Sequence, residues 1–127
     1  LFEYLKGHPR TQFVLRQAGY PAVRTAGYLA SILPNTYLDL GLAIPFVQHG
    51  CANVIREALE LTPTTKLLYS SDACFVPERY VLGLDRITTD LPAVLDALVR
   101  DGYLTDEYAE TIARNPLREN AVRLYDL

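Results

Sequence analysis

Lys66-Leu67-Leu68-Tyr69-Ser70-Ser71-Asp72-Ala73 is the stretch on which the fold turns. Its apolar residues stand on consecutive positions rather than alternate ones. That pattern predicts a strand buried on both faces, as in a parallel sheet covered by helices. The change to Ser70-Ser71-Asp72 predicts that the strand ends there in a small polar turn. Ligands of parallel α/β folds sit at the carboxyl ends of strands, so Asp72 occupies a position suited to chemistry.

Working outward from this stretch, Phe13-Val14-Leu15 and Thr36-Tyr37-Leu38-Asp39-Leu40 read as two earlier strands. Between them, Ala22 to Leu33 carries Val23, Ala26, Leu29, Ala30, Ile32 and Leu33 at helical spacing with one buried face. Pro21 suits the first turn of that helix. Gly41 to Pro45 is expected to be a loop, and Phe46 to Leu61 to be helical in its second half. After Asp72, helices are expected from Pro77 to Leu84 and from Asp90 to Gly102. Another begins at Thr105, capped by that residue, and Asn115-Pro116 should stop it and start the last. Strands alternating with helices over short connections imply βαβ units in a parallel α/β sheet. Three strands do not close a barrel. Together with the lack of any Met, this sets the expectation that the chain is part of a longer protein and supplies the last strands of a larger sheet.

Composition narrows the function classes. The 127 residues are 50% hydrophobic and 21% charged, with net charge -3 and pI near 5.3. An acidic chain is not built for phosphate backbones, so no nucleic-acid partner is expected. No apolar run approaches the ~18 residues of a membrane span, and no secretory signal opens the sequence. Cys51 and Cys74 lack metal-type spacing and read as free thiols of a cytoplasmic protein.

Of the three strand ends, only the one at Ser70 to Cys74 carries an acid. There Asp72 can bind a divalent metal and take a proton from the bound water. The alternative is structural, a helix cap or Asx-turn. Arg24 is a candidate for holding a substrate carboxylate through a bidentate contact, or else a surface ion pair. His49 is a candidate proton carrier at the mouth, or else an isolated exposed histidine. Tyr20 is a candidate pocket wall. Asp39, within a strand, requires a partner if it points inward.

Several blocks carry a resemblance. The Lys66–Ala73 stretch followed by Pro77-Glu78 resembles the eighth-strand signature of amidohydrolase-related proteins. Tyr20-Pro21-Ala22-Val23-Arg24-Thr25-Ala26-Gly27-Tyr28-Leu29-Ala30 is similar to the Tyr-Pro…Arg-Glu-Ala-Gly-Tyr-Leu-Ala block of one branch. That branch is fused to glutamine synthetase in plant nodulin-like and fungal developmental proteins. Asn35 to Ala43 is similar to its next strand, and Asn120-Ala121-Val122-Arg123-Leu124-Tyr125 to the closing helix of the superfamily. The resemblance implies a (β/α)8 TIM barrel, of which residues 1–127 are a partial domain supplying about strands six to eight and the terminal helices. It implies that Asp72 is a metal ligand, with zinc the expected metal, and the general base toward the hydrolytic water. One departure bears on the metal: Gln17 stands where members usually place a His, and an amide is a poorer zinc ligand than imidazole.

These observations lead to the expectation of a metal-dependent hydrolase of an amide-type C–N bond in a small molecule. Two alternatives stay open: a metal-dependent decarboxylase of the same superfamily, and a non-catalytic binding or regulatory barrel. The chain by itself is expected to be inactive, and to associate with the remainder of the barrel or with a second copy through its open strand edges.

Overall fold

In a computed structural model, which describes residues 1–127, the three strands pair in one parallel sheet in the order β1 (Phe13–Leu15), β2 (Thr36–Asp39), β3 (Leu67–Leu68). Phe13, Val14 and Leu15 pair with Thr36, Tyr37 and Leu38. Leu38 and Asp39 pair in turn with Leu67 and Leu68. The helices are α1 (Phe2–Gly7), α2 (Val23–Ile32), α3 (Ala43–Val47), α4 (Cys51–Leu61), α5 (Pro77–Arg100), α6 (Asp106–Arg114) and α7 (Asn120–Tyr125).

Side chains alternate across a strand, and the sheet uses this fully. Leu38, Leu40 and Leu67 join one core with Val23, Ala26 and Ala30 of α2, Val54, Ile55 and Ala58 of α4, and Ile87, Leu91, Val94 and Leu95 of α5. Alternation sends Asp39 and Leu68 to the other face, with Val14 and Tyr37, which stay half-buried. Close approach of α2 and α4 depends on Gly27, because a Cβ there would stand 3.0 Å from Thr62 Oγ1.

Buried side-chain donors tie the layers together. Lys66 Nζ donates to the carbonyls of Ala30 (2.9 Å) and Leu33 (2.7 Å), closing the C-terminal end of α2. The Asn35 amide donates to the carbonyls of His8 (3.0 Å) and Thr11 (2.9 Å), which fixes the entry to β1. The Asn120 amide donates to those of Thr64 (2.7 Å) and Leu67 (2.6 Å), docking α7 under β3. Thr105 caps α6 as its side chain predicts, accepting from Tyr108 N–H at 3.2 Å.

Four boundaries differ from the sequence expectation. The segment from Gly41 to Pro45 is not all loop, since Ala43–Val47 is helical. Helix α2 begins at Val23, so Pro21 lies before its first turn. Helix α5 runs unbroken through Pro92 instead of starting afresh at Asp90. Proline inside a helix costs about 3 kcal/mol. Ile87, Leu91, Val94 and Leu95 form one continuous buried stripe across it, and each such side chain contributes about 1.5–3 kcal/mol, so packing outweighs the break. Finally, Asn115-Pro116 does not stop α6. The chain passes through a π-helical turn, Asn115–Glu119, directly into α7. The wider turn offers the Pro116 carbonyl to Tyr69 N–H at 3.0 Å, just beyond β3.

Candidate active site

The three strands end at one edge, and each end leaves the sheet through left-handed backbone. After β1, Gln17, Ala18 and Gly19 have φ of 59°, 54° and 64°. A Cβ on Gly19 would stand 2.5 Å from that of Ala26, so the turn closes against α2 only with glycine there. After β2, Gly41 has φ 39°, and its Cα side faces Asp39 Oδ2, Gln17 N and Ser70 Oγ. After β3, Asp72 has φ 47°, a conformation that aspartate tolerates better than most residues.

Charges hold these ends together. Arg16, the first residue past β1, donates to Asp72 Oδ1 across the strand ends. The Asp72 side chain is only 16% exposed, whereas Arg16 is 59% exposed. Asp39 is buried at the end of β2. Its Oδ2 accepts from Ser70 Oγ at 2.7 Å and its Oδ1 from Gly41 N–H at 3.1 Å. These are the partners that an inward-pointing acid requires. Burial nevertheless pushes its carboxyl above the ordinary aspartate range, against the lowering effect of Ser70, Gly41 and Arg16. Tyr69, at the end of β3, has its hydroxyl buried without a partner. Burial, with the charges of Asp39 and Cys51 in support, pushes it up to about 12. Gly83 of α5 makes room for that hydroxyl, since a Cβ there would lie 2.8 Å from it.

A cleft of about 710 Å³ opens beside this cluster. Gln17 and Tyr20 of the β1 loop line it, facing Phe46, His49 and Asn53 from the β2 side. Tyr20 and His49 are therefore brought to one cleft. Asp72 is outside the lining, linked to it through Arg16 and the adjacent Gln17. Arg24 is engaged elsewhere. It grips Glu60 of α4 through a two-point contact (2.9 and 3.1 Å) and approaches Glu57 at 3.7 Å. The structure thus favours the surface ion pair for Arg24.

Arg16, Ser70 and Asp39 complete the cluster, and the sequence alone did not single out the first two as site residues. The signal available was the βα register: Arg16 is the first residue past the short apolar strand β1, and Ser70 is the second past β3. Cys51 is buried in the main core, and burial and Asp90 push its thiol up to about 12. Cys74 is exposed, and neither cysteine is in a disulfide.

The donor chemistry provides a test of the metal expectation. Catalytic zinc usually takes three protein ligands from His, carboxylate or thiolate, plus water. Here Asp72 is one carboxylate, Gln17 is an amide, and Asp39 is occupied by Ser70 and Gly41. No group of three or more His, Cys, Asp or Glu side chains converges. These residues offer one ligand and do not by themselves make a metal centre.

Comparison with known proteins places this geometry. The family model described as amidohydrolase matches residues 4–127. The chain is 40% identical over 121 residues to protein fluG of Emericella nidulans, an alignment covering 94% of this chain and 14% of that protein. Its fold is similar to the crystal structure of a protein from Lactobacillus casei provisionally described as a metal-dependent hydrolase, with TM-score 0.84 and 31% identity. That superposition covers 98% of this chain and 32% of the other. The chain therefore spans a minor part of the length of both relatives. No helix is long and apolar enough to cross a membrane.

Proposed function

The chain belongs to the amidohydrolase family, and from that premise we propose that the protein bearing it is a metal-dependent hydrolase cleaving an amide-type C–N bond in a small molecule. The observation that carries the proposal is Asp72, a carboxylate past the end of β3, held by the Arg16 guanidinium reaching across from the end of β1 beside an open cleft. Asp72 accepts the proton of the attacking water. Arg16 restrains its orientation. Tyr20 and His49 line the substrate cleft. A divalent ion, zinc in this proposal, supplies Lewis acidity when bound. Asp72 is the ligand this chain contributes, and the others come from the rest of the protein.

The same proposal makes residues 1–127 the closing part of a (β/α)8 barrel. Supporting it are the parallel sheet with one open edge on β1 and one on β3, and the share of the Lactobacillus casei protein that the chain covers. The remainder of the barrel, or a second copy, pairs with those edges, and the chain alone is inactive. Two unpaired cysteines support a cytoplasmic setting.

The test is turnover by the full-length protein on a panel of small amides, with amine release and carbon dioxide release followed in parallel. Asp72→Asn is expected to lower kcat about 100-fold or more, the usual contribution of a positioned base. Carbon dioxide release without amine release would move the protein to the decarboxylases. A second reading, a non-catalytic barrel, is favoured by Gln17 in the β1 loop and by the commitment of Asp72 to Arg16. In that case neither product appears, and Asp72→Asn leaves the protein's binding behaviour unchanged.

A further inference from the structure

Four arginines of the chain, Arg10, Arg56, Arg79 and Arg100, make no ion pair and no side-chain hydrogen bond, whereas Arg16, Arg24, Arg86, Arg114 and Arg118 each hold a carboxylate. Three of the four are exposed, where water solvates them well. Arg79 is half-buried. Its guanidinium lies over the ring of Phe46, 5.0 Å from the centroid, and Phe46 is a wall of the 710 Å³ cleft. Stacking on an aromatic face orients a guanidinium and leaves its edge N–H groups free. Arg79 is therefore a partly desolvated, pre-oriented fork with no anion. It stands in the first turn of α5, seven residues after Asp72.

The charges around the cleft agree with an anionic guest. Glu57 is the one acidic side chain in the lining, and Arg24 approaches it at 3.7 Å. The remaining polar groups of the lining, Gln17, His49 and Asn53 among them, carry no negative charge. An anion entering here meets no unopposed carboxylate, and the unpaired Arg79 guanidinium stands behind the lining, on the ring of Phe46. Arg24, the arginine that the sequence offers as a candidate for this task, is already occupied by Glu60.

We propose that Arg79 binds a carboxylate of the substrate, so that the amide cleaved carries a free carboxylate away from the scissile bond. This rests on the hydrolase reading above and adds a substrate class to it. Arg79 is the residue that selects carboxylate-bearing amides over neutral ones, and Phe46 positions it.

The experiment uses the full-length protein and the half-amides of four- to six-carbon dicarboxylic acids, each beside its neutral methyl ester. Binding is read by calorimetry in an Asp72→Asn background, so that it does not depend on turnover. Arg79→Met keeps an unbranched side chain at this position and removes the fork. It is expected to weaken binding of the half-amides by about 10- to 100-fold, as for loss of a charge-assisted hydrogen bond, and to leave the esters unchanged. Arg79→Lys should recover part of the loss, and Phe46→Leu should weaken the half-amides in the same sense. In the enzyme with Asp72 intact, the effect falls on KM with kcat little changed. Equal loss for acid and ester, or no loss for either, overturns the proposal. Charge-selective binding that Arg79→Met abolishes, in a protein that hydrolyses none of the amides, upholds Arg79 and overturns the hydrolase reading instead.

Discussion

Asp39 and Asp72 are two carboxylates at adjacent strand ends with opposite surroundings. Asp72 meets a guanidinium at the rim, while Asp39 is buried against a hydroxyl and a backbone N–H. Burial dominates for Asp39 and raises its pKa in the folded state. The folded protein therefore binds that proton more tightly than the unfolded chain. The stabilisation is complete below the ordinary aspartate range, near pH 3.9, and is lost as pH rises through the raised value. Asp39→Asn lacks this dependence. The Tm difference, wild type minus Asp39→Asn, is expected to be most favourable to wild type near pH 4, by about these reference values, and to fall as pH increases toward neutrality. A difference that is flat or rises over that range would show that the hydrogen bonds of Ser70 and Gly41 outweigh burial. At this scale the sequence showed that Asp39 must find a partner if it turned inward, and that Asp72 stands at a strand end. It did not show Arg16 reaching Asp72, because the two are 56 positions apart and only the pairing of β1, β2 and β3 in one parallel sheet brings their ends to the same edge.

At the scale of elements, what was legible was whatever local pattern determines. The three strands, the face of α2, the Thr105 cap and the stop at Gly102 all follow from periodicity, capping and backbone freedom. What was not legible was decided by packing. Pro92 reads as a break, yet the stripe from Ile87 to Leu95 carries the helix through it. Asn115-Pro116 reads as a stop, yet a π turn absorbs the proline and gives its carbonyl to Tyr69. The closing helix depends on one side chain in particular. Asn120 is 1% exposed and its amide satisfies two backbone carbonyls at the start of β3. Asn120→Ala leaves both without that donor, at a cost on the order of 1–3 kcal/mol. In the full-length protein a lowered midpoint of denaturant unfolding is expected, with faster amide exchange at Leu67 and Leu68. An unchanged midpoint would mean that water replaces the amide without loss.

At the scale of the whole molecule, the chain is an α/β unit of the amidohydrolase family with a sheet open on both sides. Its strand ends gather Arg16, Asp39, Ser70 and Asp72 beside one cleft, and they hold one carboxylate suited to a metal rather than a full ligand set. In the proposed function this carboxylate works within a metal centre completed by other parts of the protein. The most direct test is the metal content of the full-length protein, by elemental analysis after supply of zinc, with and without Asp72→Ala. Wild type is expected to hold a divalent ion in stoichiometric amount, and Asp72→Ala to lose most of it while remaining folded. A wild-type protein that stays free of metal, or a variant that retains it in full, contradicts the account.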